Sequence, residues 1–186
     1  MGMKTVLSEM RERMQKSLDA FETNIATVRT GRANPAILNR VHVDYYGAST
    51  PLPQLANVSS PDPRTLVISP FDKSIGKAVE KAILESDLGF NPNNQGDSIF
   101  ITVPPLNDER RRDLVKTVHN MAEEAKVAMR NIRRDGNDEL KMMKGDGDLS
   151  EDDLRRGETE VQKITDEFIH KIDERVKAKE SDILAV

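Results

Sequence analysis

The sequence predicts an α+β protein: an elongated, antiparallel three-helix bundle with a smaller β/α/β domain inserted between its first and second helices. Three observations predict it. Apolar residues return at helical spacing in three separate stretches, near the start, after Pro105 and after Ser150. From Ala36 to Val103 the pattern changes to short alternating runs broken by proline. Finally, 32% charged residues against 4% aromatic, with no Trp, suits long helices better than a large β core.

Residues 5–30 read as the first helix. Leu7, Met14, Phe21 and Val28 are heptad repeats, Leu18 and Ile25 fill the second seam position, and Met10 and Met14 read as pliable core filler. In Arg29-Thr30-Gly31-Arg32-Ala33-Asn34-Pro35, Gly31 and Pro35 stop the helix. The flanking Arg either complement the negative helix end or form a cationic chain corner.

In the inserted part, Val41 to Tyr46 alternates like a strand and ends at Gly47. Pro51, Pro53, Pro61 and Pro63 punctuate the next stretch, with Leu52 and Leu55 turned inward. Leu66-Val67-Ile68 is a second strand stopped by Pro70, and Ser74 to Ser86 a helix with Ile75, Val79, Ala82 and Ile83 on one face. Leu88 to Asp97 reads as a loop, Ile99 to Val103 as the closing strand, and Pro104-Pro105 ends it.

Asn107 to Lys144 reads as one helix, roughly 57 Å long at about 1.5 Å per residue. Leu114, Val118, Met121, Ala125, Ala128 and Ile132 form a seam with alternating steps of four and three, which needs partner helices. The same steps on another face collect Arg112, Lys116, His119, Glu123, Lys126, Arg130, Arg133 and Asn137. A solvated face would ordinarily mix signs to form i,i+4 pairs. This stripe largely does not, which points to a polyanion such as RNA. Gly145 to Asp148 is a turn rather than a calcium loop, which needs more oxygen ligands in fixed register. Ser150 and Asp153 then cap the last helix. Its inward residues are Leu154, Val161, Ile164, Phe168, Ile172, Val176 and Ile183, and its outer face pairs signs, as in Glu167/Lys171. Gly157 weakens it by about 1 kcal/mol against Ala.

The bundle is therefore assigned to 1–30 and 106–186 and the inserted domain to 31–105. The chain crosses between them near 30–32 and 104–106, where Thr30, Gly31, Pro104 and Pro105 form a candidate hinge. The net charge of −4 conceals a division: residues 107–144 carry +2 and 145–186 carry −6. Positive charge gathered on one element allows local RNA binding without indiscriminate coating.

Catalysis, cofactors and metals are not expected. His42, His119 and His170 lack metal-ligand spacing, and no phosphate loop or nucleophile elbow occurs. Ser74 and Lys77 have a serine-hydrolase spacing without its supporting motifs. No Cys is present, which suits a reducing cytosol, and neither a membrane span nor a signal peptide is found. A cytoplasmic, monomeric binding protein with no small-molecule substrate is expected. RNA recognition would rest on phosphates and shape, because the few aromatics are largely internal. The alternative is a helical adaptor or chaperone-like module that binds another protein.

Several segments in order carry a resemblance. They are Arg29-Thr30-Gly31-Arg32-Ala33-x-Pro35, Tyr45-Tyr46-Gly47, Val79 to Ile83 and Ser86 to Asn93. They continue with Pro104-Pro105-Leu106, Glu109-Arg110-Arg111 and Arg130 to Asp135. Together, from about Met10 to Ile183, the chain resembles bacterial ribosome recycling factor. The resemblance implies an L-shaped protein that acts after termination. With elongation factor G and GTP hydrolysis it would split the ribosome into subunits, its bundle lying on large-subunit rRNA. Family arginines important for binding match Arg111, Arg130 and Arg133, with Arg29 as a fourth. With Lys126 of the stripe and the adjacent Arg134, these form the candidate RNA-binding set. Gly136, where many members carry Ala, would loosen the helix just beyond the arginines.

Overall fold

Alternating and helical apolar periods translate into four α-helices and six strands among the described residues, which are 2–184 of a computed structural model. Met1, Ala185 and Val186, at the outer limits of the expected bundle segments, lie outside the described residues. The elements are α1 (Met3–Ala26), β1 (His42–Tyr45), β2 (Ala48–Pro51), β3 (Ala56–Asp62), β4 (Thr65–Pro70) and α2 (Gly76–Glu85). They continue with β5 (Pro92–Asn94), β6 (Ile99–Thr102), α3 (Asp108–Gly145) and α4 (Glu151–Leu184). Two compact units result, Met1–Ile25 with Lys116–Lys179, and Ala26–Val115 with Glu180–Val186.

The first unit is a three-helix bundle. Arg11 pairs with Glu167 and Glu22 with Arg175, so α1 and α4 ascend together. Arg13 meets Asp135 and Lys126 meets Asp173, so α3 runs against both. Its core includes Val6, Met10, Met14, Leu18 and Phe21 from α1, and Val161, Ile164, Phe168 and Ile172 from α4. Met10 and Met14 are core, whereas Val6 takes the place expected for Leu7.

The seam of α3 also differs from its sequence register. The buried positions are Leu114, Val118, Ala122, Ala125, Met129, Ile132, Gly136, Leu140 and Met143. Eight steps cover 143 − 114 = 29 residues, the roughly 3.6-residue period of a helix rather than a 3.5-residue heptad. Met121 and Ala128, chosen on a strict 4-3 rhythm, are consequently only half-buried.

Capping fixes both long helices. Asn107 Oδ1 accepts the Arg110 N–H at 2.7 Å, and Asp108 and Glu109 suit the positive helix end. At α4, Ser150 Oγ accepts from the Asp153 N–H at 3.1 Å while Asp153 Oδ2 accepts from the Ser150 N–H at 3.3 Å, a reciprocal box. Between them, Gly147 at φ 84° lets the Asp148 N–H reach the Met143 carbonyl at 2.9 Å, closing α3 in a left-handed turn.

In the second unit, β1 and β2 form a hairpin, and the antiparallel sheet β3-β4-β6-β5 packs with α2 around Leu66, Ile68, Val79, Ile83, Ile99 and Ile101. Three strands the sequence did not announce appear: β2, β3 and β5. Both β3, which contains Pro61, and β5, which begins at Pro92, are sheet edges, where a missing N–H is tolerated. Helix α1 stops at Ala26 rather than at 30. The β-branched pair Thr27-Val28 favours helix weakly, and Val28 is buried just beyond the helix end.

Candidate nucleic-acid interface

Helix α3 positions the candidate cations by its turn. Lys126, Arg130 and Arg133, four and three residues apart, share one face, with Arg134 beside them. The stripe's first members, Arg112, Lys116, His119 and Glu123, are exposed, whereas Lys126, Arg130, Arg133 and Asn137 are half-buried. A row stepping at 3.5 residues drifts around a straight helix by roughly 20° per heptad, which carries its far end toward the neighbouring helices.

Each cation is held differently. Lys126 Nζ reaches Asp173 Oδ1 of α4 at 2.6 Å and keeps 23% of its side chain exposed. Arg130 Nη1 donates to Glu123 Oε1 at 3.1 Å, two turns back on its own helix, and remains 40% exposed. Neither Arg133 nor Arg134 forms an ion pair among the described residues. Surface pairs of the Arg130–Glu123 kind are worth about 0–1 kcal/mol, so a phosphate can displace the carboxylate at little cost.

Arg29 and Arg111 belong to the second unit. Arg29 Nη2 donates to the Pro104 carbonyl at 2.6 Å, and its guanidinium carbon lies 5.6 Å from the centre of the Phe90 ring. Burial, then the charge of Arg110, lowers its pKa. Arg111 Nη1 approaches Asp108 Oδ1 at 3.4 Å, with 20% of its side chain exposed. The Nε atoms of both Arg29 and Arg111 are buried without a protein partner. Arg110, absent from the set expected from sequence, stands close enough to Arg29 to act on it by charge; the run Arg110-Arg111-Arg112 was the available signal.

The structure thus gathers Lys126, Arg130, Arg133 and Arg134 on one helix of the first unit, and places Arg29 near Arg110 within the second. At the candidate hinge, Thr30 is buried, and its hydroxyl bonds both the N–H and the carbonyl of Arg32 at 3.2 Å. Pro104 and Pro105 are exposed, and Gly31 is half-buried with ordinary negative φ. Ser74 Oγ donates to Asp72 Oδ1 at 2.6 Å in a helix cap, a poor posture for a nucleophile. No metal-ligand cluster occurs among the described residues, and no helix is long and apolar enough to cross a membrane.

Known proteins resemble the chain over nearly its whole length. The family model for "Ribosome recycling factor" matches residues 21–184. The ribosome-recycling factor of Halalkalibacterium halodurans is 56% identical over 183 residues, 98% of this chain and 99% of that protein. That of Thermus thermophilus is 54% identical over 184 residues, covering 99% of this chain and 100% of the relative. A solution structure of a ribosome recycling factor superposes with a TM-score of 0.78 at 36% identity, over 100% of this chain and 99% of the other. The T. thermophilus factor, from models of it and of E. coli elongation factor G bound to the E. coli post-termination complex, gives 0.72 at 54% identity, with 100% of both chains covered.

Proposed function

The chain belongs to the ribosome recycling factor family, and on that premise we propose that it is a non-enzymatic translation factor of the cytoplasm. Acting as a monomer on the post-termination ribosome, with elongation factor G and GTP hydrolysis, it separates the subunits. Models of a 54% identical relative and of elongation factor G bound to a post-termination complex support both partners.

Helix α3 docks on large-subunit rRNA. The observation that carries this is a single helix bearing Arg133 and Arg134 outside any ion pair among the described residues, with Arg130 only loosely held beside them. Guanidinium forks match phosphate oxygens, and a rigid helix fixes their spacing. Lys126, already tied to Asp173, contributes less. Arg29 and Arg111 would meet the same backbone chemistry through their terminal nitrogens, since their Nε atoms are buried. The segments at Thr30-Gly31 and Pro104-Pro105 absorb bending, with the Arg29–Pro104 bond joining them.

The test is polysome breakdown with elongation factor G and GTP, with and without this protein. Conversion of polysomes to subunits only when it is added is the expected result. Unchanged polysomes in its presence would overturn the assignment.

A further inference from the structure

The hairpin between β1 and β2 turns through Tyr46 at φ 50° and Gly47 at φ 85°, a two-residue turn with both centres left-handed. Gly suits that geometry. Tyr does not, and Tyr46 is the sole non-glycine residue with positive φ among the described residues. Burial does not compensate, because Tyr46 is 82% exposed. A strained aromatic that the fold does not reward inside draws its use from outside.

The surroundings hold this ring out rather than hide it. Asp44 Oδ1 accepts the Gly47 N–H at 2.9 Å and stiffens the turn. Tyr45 packs edge-on against Tyr46, centroids 4.6 Å apart, and its phenol lies close enough to Asp72 to feel that carboxylate's charge. Asp72 is itself fixed by the backbone and hydroxyl of Ser74, at 2.9 and 2.6 Å. These bonds hold the Asp72 carboxyl below its ordinary range, and burial followed by the charge of Asp72 raises the Tyr45 phenol. The tip thus lies beside the turn after β4, whose Phe71 is 63% exposed.

Charge selects the partner. Neither Asp44 nor Asp72 is in an ion pair among the described residues, and the adjacent cation Lys73 is taken by Asp97 at 3.2 Å. Electron-rich rings at a tip whose neighbouring carboxylates form no ion pair attract a guanidinium or ammonium and repel phosphate. We propose that Tyr46, with Phe71 and Asp44, is a docking point for an arginine- or lysine-bearing surface of a protein partner. It is distinct in chemistry from the cationic row of α3. Taking that partner to be elongation factor G rests on the function proposed above.

The experiment compares Tyr46→Asn, which suits φ 50°, Tyr46→Phe, which keeps the ring, and Asp44→Asn, which keeps the turn's acceptor but not its charge. Subunit splitting with elongation factor G and GTP is measured alongside binding to ribosomes without that factor. Tyr46→Asn should slow splitting about tenfold and Asp44→Asn about threefold. Tyr46→Phe should split at the wild-type rate, and ribosome binding without the factor should be unchanged in all three. Tyr46→Asn should melt no lower than the wild type. Wild-type splitting by Tyr46→Asn would overturn the proposal, as would loss of its factor-free ribosome binding, which would mean base stacking on RNA. Failure of the wild-type protein to split ribosomes would instead overturn the underlying function.

Discussion

Arg130 and Arg133 lie one turn apart on a helix whose core contacts are made by other residues. Replacing both with Ala should therefore remove ribosome binding, by at least tenfold, while the melting temperature moves little. The Arg130–Glu123 pair is a surface interaction worth about 0–1 kcal/mol. Sedimentation and circular dichroism on the double variant check this, and a large loss of helicity would make the arginines structural. That residues 130 and 133 share a face was legible, because helical spacing alone dictates it. The holding of Lys126 by Asp173 was not, since it depends on which helix lies alongside. Nor was the side-chain environment of Arg29, whose partners Pro104 and Phe90 are more than sixty residues away.

Among the elements, α3 and α4 each carry one interior glycine against the core, and the two should respond oppositely to Ala. At Gly136 a Cβ would meet the Met10 sulfur at 2.9 Å, the yielding part of a flexible side chain. Helix propensity should then dominate, so Gly136→Ala should stabilise by up to about 1 kcal/mol. At Gly157 a Cβ would stand 2.8 Å from the Met3 sulfur and 2.9 Å from Cδ1 of fully buried Leu140. Overpacking costs about 1–3 kcal/mol, so Gly157→Ala should destabilise despite its better propensity. Calorimetry on both variants decides. The start of α4 makes a pH prediction. The Ser150 hydroxyl, its N–H and then Arg156 hold the Asp153 carboxyl below its unfolded value. Such a group stabilises above the unfolded pKa and loses that contribution as pH falls through the folded one. Asp153→Asn should flatten the acid side of the melting-temperature profile. Ser150→Ala should cost about 1 kcal/mol at neutral pH. The box was legible from its spacing, whereas β3 and β5 were hidden because their pairing partners, not their own propensity, make them strands.

For the whole molecule, the decisive property is where charge sits, since the net −4 opposes a polyanion partner. Binding to large ribosomal subunits should weaken steeply with salt. The double Ala variant, if it retains measurable affinity, should lower the slope of log affinity against log salt by roughly 1.4–1.8, at about 0.7–0.9 per lost phosphate contact. An unchanged slope would detach those arginines from phosphate. The α+β class was legible because two periodicities alternate along the chain without ambiguity. The register within α3 was not, because a 4-3 rhythm and a 3.6-residue turn separate only after several repeats. The pair of tyrosines at the β1–β2 hairpin has one more consequence. With no Trp and its two Tyr adjacent at one loop tip, the protein's ultraviolet emission is dominated by a single spot in the inserted unit. Backbone ellipticity is dominated instead by the helices. Melting followed by both signals would separate the two units without any attached dye, and quenching of that natural lamp would register a partner's arrival there.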